Sequence, residues 1–469
     1  MRLSRAAAAG LATLLLTAGA APGAAPPATP DTEAAPAPAA ERRDDERSPA
    51  APLTLQVFGR PVQVSGSWEA GLERRGNFDL DRTRERDRTT LAHEVDLAAR
   101  WSILPDVTAF VQWTGLYETR RTQGTAGTRT TKALERGPMW VQWHRLGGTP
   151  WSLQAGRLAL RERRAWWWDE DLDALRLAFD DGDRALALGL GRELLRVSSA
   201  EPGIDPARRG VWRAFAHARW RWQPRQVLEL FALHQHDRSG PQAPGTAAGG
   251  EQDPDLSDLR ATWAGLRSTH GWRLGGHRLD LRADAAWLRG RETLAAPAGP
   301  AAAGRVRGHA LDLGLTWTAP GPARPSLTLA WARGSSGFRQ TGLHENKGRI
   351  AGVKRLQLYG ELLQPDLANL RVASLGGGLR LLGNSSLELL HHRYRQVQAS
   401  PLLAGSRLST APLGTDPRLG RAWDLVLALR EWQHLELVLR LARFEPGPAF
   451  AANRRDPAHA VELVATFVF

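Results

Sequence analysis

Val461-Glu462-Leu463-Val464-Ala465-Thr466-Phe467-Val468-Phe469 close the chain, and their alternation decides the fold. Side chains on a strand repeat every two residues. Val461, Leu463, Ala465, Phe467 and Phe469 therefore share one face, and Glu462, Val464, Thr466 and Val468 the other. Termini usually fray, so an apolar strand that stops on an aromatic needs a reason. A closed membrane barrel supplies one: its last strand pairs with its first and leaves no edge. The last strand of a soluble sheet would alternate in the same way, and the rest of the chain must decide.

The pattern recurs upstream. Leu279, Leu281, Ala283, Ala285 and Trp287 oppose Arg278, Asp280, Arg282 and Asp284. Leu311, Leu313, Leu315 and Trp317 oppose Asp312, Gly314 and Thr316. Trp423, Leu425, Leu427 and Leu429 oppose Asp424, Val426, Ala428 and Arg430, and the odd-numbered leucines of 435–441 oppose Glu436, Val438 and Arg440. Each segment approaches the roughly 9–11 residues of a tilted membrane strand. Two features favour lipid over a sandwich core. The polar face carries repeated charge, as a water-filled lumen would. Trp101, Trp151, Trp220, Trp222, Trp272, Trp287, Trp317, Trp331 and Trp423 lie near segment ends, where an interfacial girdle forms. The chain has 19 Trp against 3 Tyr, a large stock of amphipathic aromatics for that girdle.

Composition agrees. With 42% hydrophobic residues and a mean hydropathy of −0.36, the chain is no helical membrane protein. Its long apolar stretch, 6–25, follows Arg2 and Arg5 and ends in an Ala18-Gly19-Ala20 site, so residues 1–20 read as a cleaved secretory signal. Residues 21–52, rich in Ala and Pro and then charged, read as a disordered periplasmic linker. Residues 53–469 read as one barrel domain. With no cysteine, disulfides, thiolate metal sites and cysteine nucleophiles are excluded. Loss of the signal takes the net charge from +13 to +11, almost all of it Arg. Guanidinium stays charged and grips carboxylates bidentately, so an exported basic chain points to anionic lipid or an acidic substrate rather than nucleic acid.

Connections are uneven. Gly275-Gly276 reads as a two-residue hairpin turn, and Gly147-Gly148-Thr149-Pro150 as another tight turn. Arg238–Asp258 and Glu292–Arg307 read as long loops, giving short turns on one side and long ones on the other. At about 23 residues per strand and connection, the body holds roughly 16–20 strands.

Catalytic and cofactor motifs are missing, so neither an enzyme nor a bound cofactor is expected. Gly376-Gly377-Gly378 sits within a strand pattern, as a constriction or kink. His391 and His392 point to opposite faces, and His234 with His236 lacks a third metal ligand. The densest stretch is 156–179. If Leu158 and Leu160 face lipid, Arg157 and Arg161 face the lumen. On the return strand Leu175, Leu177 and Phe179 face lipid and Arg176 the lumen. Asp169, Glu170, Asp171 and Asp173 lie nearby as ion-pair partners. Conduction and a self-neutralising lattice are equally open for each arginine.

This stretch, with Gly156-Arg157, Arg161, Trp167-Trp168-Asp169 and Leu172-Asp173-Ala174-Leu175-Arg176, resembles the alginate export family of outer-membrane porins. So do 338–349, Tyr359-Gly360-Glu361-Leu362, Leu367-Ala368-Asn369-Leu370, Ser386-Leu387, His392-Arg393-Tyr394, Leu419-Gly420 with Asp424-Leu425, and 444–450. The third block departs from the family at Arg421-Ala422-Trp423. The resemblance implies an all-β fold, a transmembrane antiparallel barrel of 18 strands, monomeric, in the outer membrane. It implies an Arg-rich constriction passing an anionic uronate polymer, with Arg157, Arg161, Asp169, Arg176, Arg339, Arg349 and Glu361 as the lumen residues carried over. Expected partners are an anionic polysaccharide or other anionic solute, outer-membrane lipid and periplasmic export components. Asp280, Asp284 and Asp312 are expected to hold the arginines apart. A small-solute uptake porin and a non-conducting barrel are the competing readings.

Overall fold

The computed structural model describes residues 52–469 except 84–85, 125–126, 242–254, 256 and 296–301. The signal reading of 1–20, and all of the linker reading but Pro52, lie outside the described residues. A short strand, Leu53–Val57, doubles back on Arg60–Val64. Beyond it, 18 antiparallel strands close into a barrel. In chain order they are β1 Arg60–Gly76, β2 Arg88–Leu104, β3 Val107–Thr122, β4 Thr128–Trp143, β5 Trp151–Arg161 and β6 Asp169–Asp180. Next come β7 Arg184–Gly191, β8 Trp212–Gln223, β9 Gln226–His236, β10 Ser257–Leu274, β11 His277–Leu294 and β12 Ala302–Thr318. The last six are β13 Ser326–Gly334, β14 Leu370–Leu381, β15 Ser385–Gln396, β16 Arg418–Leu429, β17 Leu435–Pro446 and β18 Ala458–Val468.

Closure runs through the terminal strand. β18 pairs with β1 from Ser67↔Val468 to Gly76↔His459. Gly66 and Phe469 then exchange backbone hydrogen bonds of 2.9 and 3.0 Å. A Cβ at Gly66 would lie 2.7 Å from the Asp96 carbonyl and against the Phe469 ring, so only glycine lets the final aromatic dock. Leu463 and Phe467 are exposed to the outside, whereas Glu462 faces inward and pairs with Arg440 at 2.6 Å. The two faces of the terminal strand are those its alternation predicts.

The start of β1, the end of β18 and the short turns share one end of the barrel. Gly275 and Gly276 make a two-residue turn with φ of 54 and 85°, both in the left-handed region that glycine adopts freely. The turn before β5 contains a single 3-10 turn, Leu146–Gly148. The longer connections, 192–211, 335–369 and 397–417, leave the opposite end. One expected long loop proves shorter. Glu292, Thr293 and Leu294 pair with Gly304, Ala303 and Ala302, so 292–307 is mostly strand. Ladder pairing with a long neighbour overrides the weak strand propensity of Ala302, Ala303 and Gly304.

The interior is lopsided. Inward side chains of β8–β18, among them Phe215, Phe231, Trp263, Leu288, Val372 and Phe444, join one apolar cluster with loop residues. On β1–β3 the inward-facing Glu69, Glu94, Asp96 and Glu118 keep solvent access. Water therefore has its room beside β1–β3.

Candidate functional site: the lumen and its inward loop

The hairpin β5–β6 departs from the pattern expected of it. Gly156 has a φ of 130°, and a Cβ there would collide with the backbone of Met139 and Trp140. From this point the hairpin bends into the lumen. β4 and β5 pair only from Met139↔Arg157 to Trp143↔Leu153. Beyond them, the returning segment 192–199 lines β4 instead: Arg136 N donates to Val197 O at 2.9 Å and Ser199 N to Leu134 O at 2.9 Å. Leu158 and Leu160 are consequently buried in protein, not exposed to lipid. Arg157 lies in the seam and pairs with Glu193 at 3.0 Å, both side chains 3% exposed. Arg161 binds Asp169 at 3.0 Å and Asp171 at 2.6 Å. Arg157 and Arg161, expected to face the lumen from the wall, are thus engaged in ion pairs within the inward-bent hairpin, where period-two reasoning from the wall no longer applies. Arg176 does face inward, buried opposite Gln154, while Leu175 is exposed outside.

The tip of this hairpin is a clasp. Trp166 and Trp167 are fully buried. Arg164 reaches across the lumen to Asp284 and, at 2.9 Å, to Asp312. Arg267 of β10 joins Asp284 at 2.6 Å and also binds Glu162. Burial opposes the charge on Glu162, but Arg267 and the N–H groups of Arg164 and Trp167 hold its carboxyl down at about 2. Asp284 and Asp312 thus separate arginines as expected, in a structural lattice.

Residues 335–369 enter the lumen from the long-loop end. Phe338 stacks on Trp166 at 6.5 Å, and Trp263 Nε1 donates to Arg339 O at 2.8 Å. Lys347-Gly348 and Leu356-Gln357 pair as a two-rung hairpin whose tip reaches the short-turn end. There Val353 N donates to Ser386 Oγ at 2.9 Å, Lys354 Nζ to Glu436 Oε1 at 2.6 Å, and Arg430 Nη1 to Val353 O at 3.0 Å. On the return, Tyr359 donates to Asp312 Oδ2 and accepts from Trp166 Nε1, both at 2.7 Å. Arg355 binds Asp169 at 3.0 Å, so that expected lumen acid anchors the loop.

The remaining expected residues fall at different depths. Arg339, half-exposed, pairs with Glu292 near the long-loop end. Glu361 is buried 3.7 Å from Arg440; burial pushes its carboxyl up against the pull of that arginine. Arg349 is exposed on the deep tip. Three more arginines lie at this end: inward-facing Arg380, whose N donates to Ala323 O at 2.7 Å beside Arg324, and Arg430, which pairs with Glu436 at 2.7 Å while it donates to Val353 O. Alternation had placed Arg430 on a polar face; the signal for Arg324 and Arg380 was only that each stands in or next to a short turn. Across the water-accessible side, Asp96 accepts hydrogen bonds from Thr114 at 2.5 Å and from Gln112 and Ser67 at 3.2 Å, all neutral donors.

A closed 18-stranded wall with an apolar exterior, a charged interior and an inward loop defines an outer-membrane β-barrel of the porin type. The model of the alginate export family matches residues 60–463, and the chain belongs to that family. Alginate production protein AlgE of Pseudomonas aeruginosa is 25% identical over 308 residues, 61% of this chain and 62% of that protein. AlgE of Pseudomonas syringae pv. tomato is 25% identical over 312 residues, 61% of each. The chain thus aligns with less than two thirds of the length of these relatives. Among solved structures, OccK5 (OpdH) of Pseudomonas aeruginosa superposes with a TM-score of 0.53 at 12% identity, covering 87% of this chain and 98% of that one, a likeness of fold.

Proposed function

We propose that the barrel is a passive channel that exports an anionic, uronate-type polysaccharide, entering at the short-turn end. The carrying observation is the gathering of Arg324, Arg349 and Arg380 where the tip of the inward loop, held by Arg430, reaches that end. Guanidinium groups held together in a low-dielectric mouth raise the local concentration of carboxylate-bearing polymer. Each contact is bidentate yet replaceable by the next uronate. Along the water-accessible side, Glu69, Glu94 and Glu118 repel the same polymer and stop it from settling. Many weak contacts in sequence are what conduction needs. The alignment with the AlgE proteins, named for alginate production, supports alginate as the polymer.

Reversal potentials in planar bilayers under a KCl gradient test this. Anion selectivity is expected, together with current block by uronate oligomers added at the short-turn side. Arg349→Ala with Arg380→Ala weakens both. Cation selectivity of the unaltered channel, or block that survives the double variant, refutes the reading.

A further inference from the structure

The outer face of β10–β12 carries a second basic cluster, unrelated to the lumen. Ala261, Trp263, Leu288 and Val306 are buried on the inward face. Arg260, Arg289, Arg291, Arg305 and Arg307 alternate with them and are exposed on the outside. The ladder aligns these five in two rungs. Arg260 lies opposite Arg291, and Arg291 opposite Arg305; Thr262 lies opposite Arg289, and Arg289 opposite Arg307. Opposed residues sit about 4.5–5.5 Å apart at Cβ, where like charges destabilise a sheet. No carboxylate stands within ion-pair distance of any of the five among the described residues. Like charge with no counter-charge among the described residues, repeated over three strands, points to an anion from outside the chain.

Position identifies that anion. The next outward rung toward the short-turn end is Ala264, Trp287 and His309, and the one row after that holds Leu311 and Ala285. The arginines therefore stand just beyond the apolar band, past an exposed Trp, toward the end that carries the long loops. In an outer membrane that end faces outward, and the level is that of the outer-leaflet headgroups.

We infer that this grid binds the phosphate groups of a phosphorylated glycolipid of the outer leaflet, its acyl chains lying along the apolar rungs below. Guanidinium pairs with phosphate through two parallel hydrogen bonds, and the rungs present such forks side by side. The site stands on the outer-membrane location and is independent of the polymer that the lumen carries.

The test uses the full-length protein in detergent, with diphosphoryl lipid A and the same lipid stripped of both phosphates as probes, read by native mass spectrometry. The unaltered protein should retain diphosphoryl lipid A at least about tenfold more strongly than the stripped lipid. Arg289→Gln, Arg291→Gln, Arg305→Gln and Arg307→Gln together should erase that preference and leave single-channel conductance unchanged. Equal retention of the two lipids by the unaltered protein overturns the inference, and does so even where the quadruple variant fails to fold. Undiminished retention by the folded variant overturns it too. So does displacement of the lipid by inorganic phosphate or a uronate oligomer at matched concentration.

Discussion

Arg157 shows how a single side chain changes role when its strand bends. Within the 3%-exposed seam it neutralises Glu193, and it is not open to a passing solute. Burial already pushes the Glu193 carboxyl up, against Arg157 and Arg208. Arg157→Ala leaves a buried carboxylate with only the more distant Arg208, 3.7 Å away, a change worth up to about 3–5 kcal/mol. The variant should lose its folded, heat-modifiable band at lower temperature or denaturant, with ion selectivity unchanged. Glu162 makes the matching case for pH. Its folded pKa is depressed, so its contribution is complete above the ordinary value of 4.5 and fades as pH falls toward about 2. The size is on the order of 3 kcal/mol. Acid titration should loosen the hairpin tip first, read as a change in Trp166 and Trp167 fluorescence; Glu162→Gln should flatten that titration.

Among the elements, the wall strands were legible and the lumen filling was not. Strands such as β11, β12, β16 and β18 alternate because one face meets lipid, and the faces read from sequence are the faces observed. The loop 335–369 has no period, because its side chains pack in all directions within the lumen. Leu343, Leu356, Leu358, Leu362, Leu363 and Leu367 look like surface-loop leucines until the barrel closes round them. Gly156 gave no sign that the hairpin would bend there; its meaning lies in the approach of Met139 and Trp140, which are distant in sequence. The deep hairpin tip occupies the lumen against β15 and β17 at the short-turn end. Deleting residues 349–355 while joining Gly348 to Leu356 through two glycines should raise single-channel conductance several-fold and lower anion selectivity. Unchanged conductance would show that the tip lies off the conducting path.

At the scale of the whole molecule, the apolar cluster within the barrel has a thermodynamic consequence. A channel lined only by polar groups releases little oily surface to water when it unfolds in detergent, since micelles keep its exterior covered. Here unfolding also frees Trp166, Trp167, Trp263, Phe338, Phe444 and Phe450 from a dry interior. Exposure of such surface raises the heat capacity. Calorimetry should record a positive heat-capacity step like that of a water-soluble globular domain, and with it a curved stability profile that weakens on cooling as well as on heating. A membrane wall enclosing its own hydrophobic core thus inherits the temperature dependence of both kinds of protein.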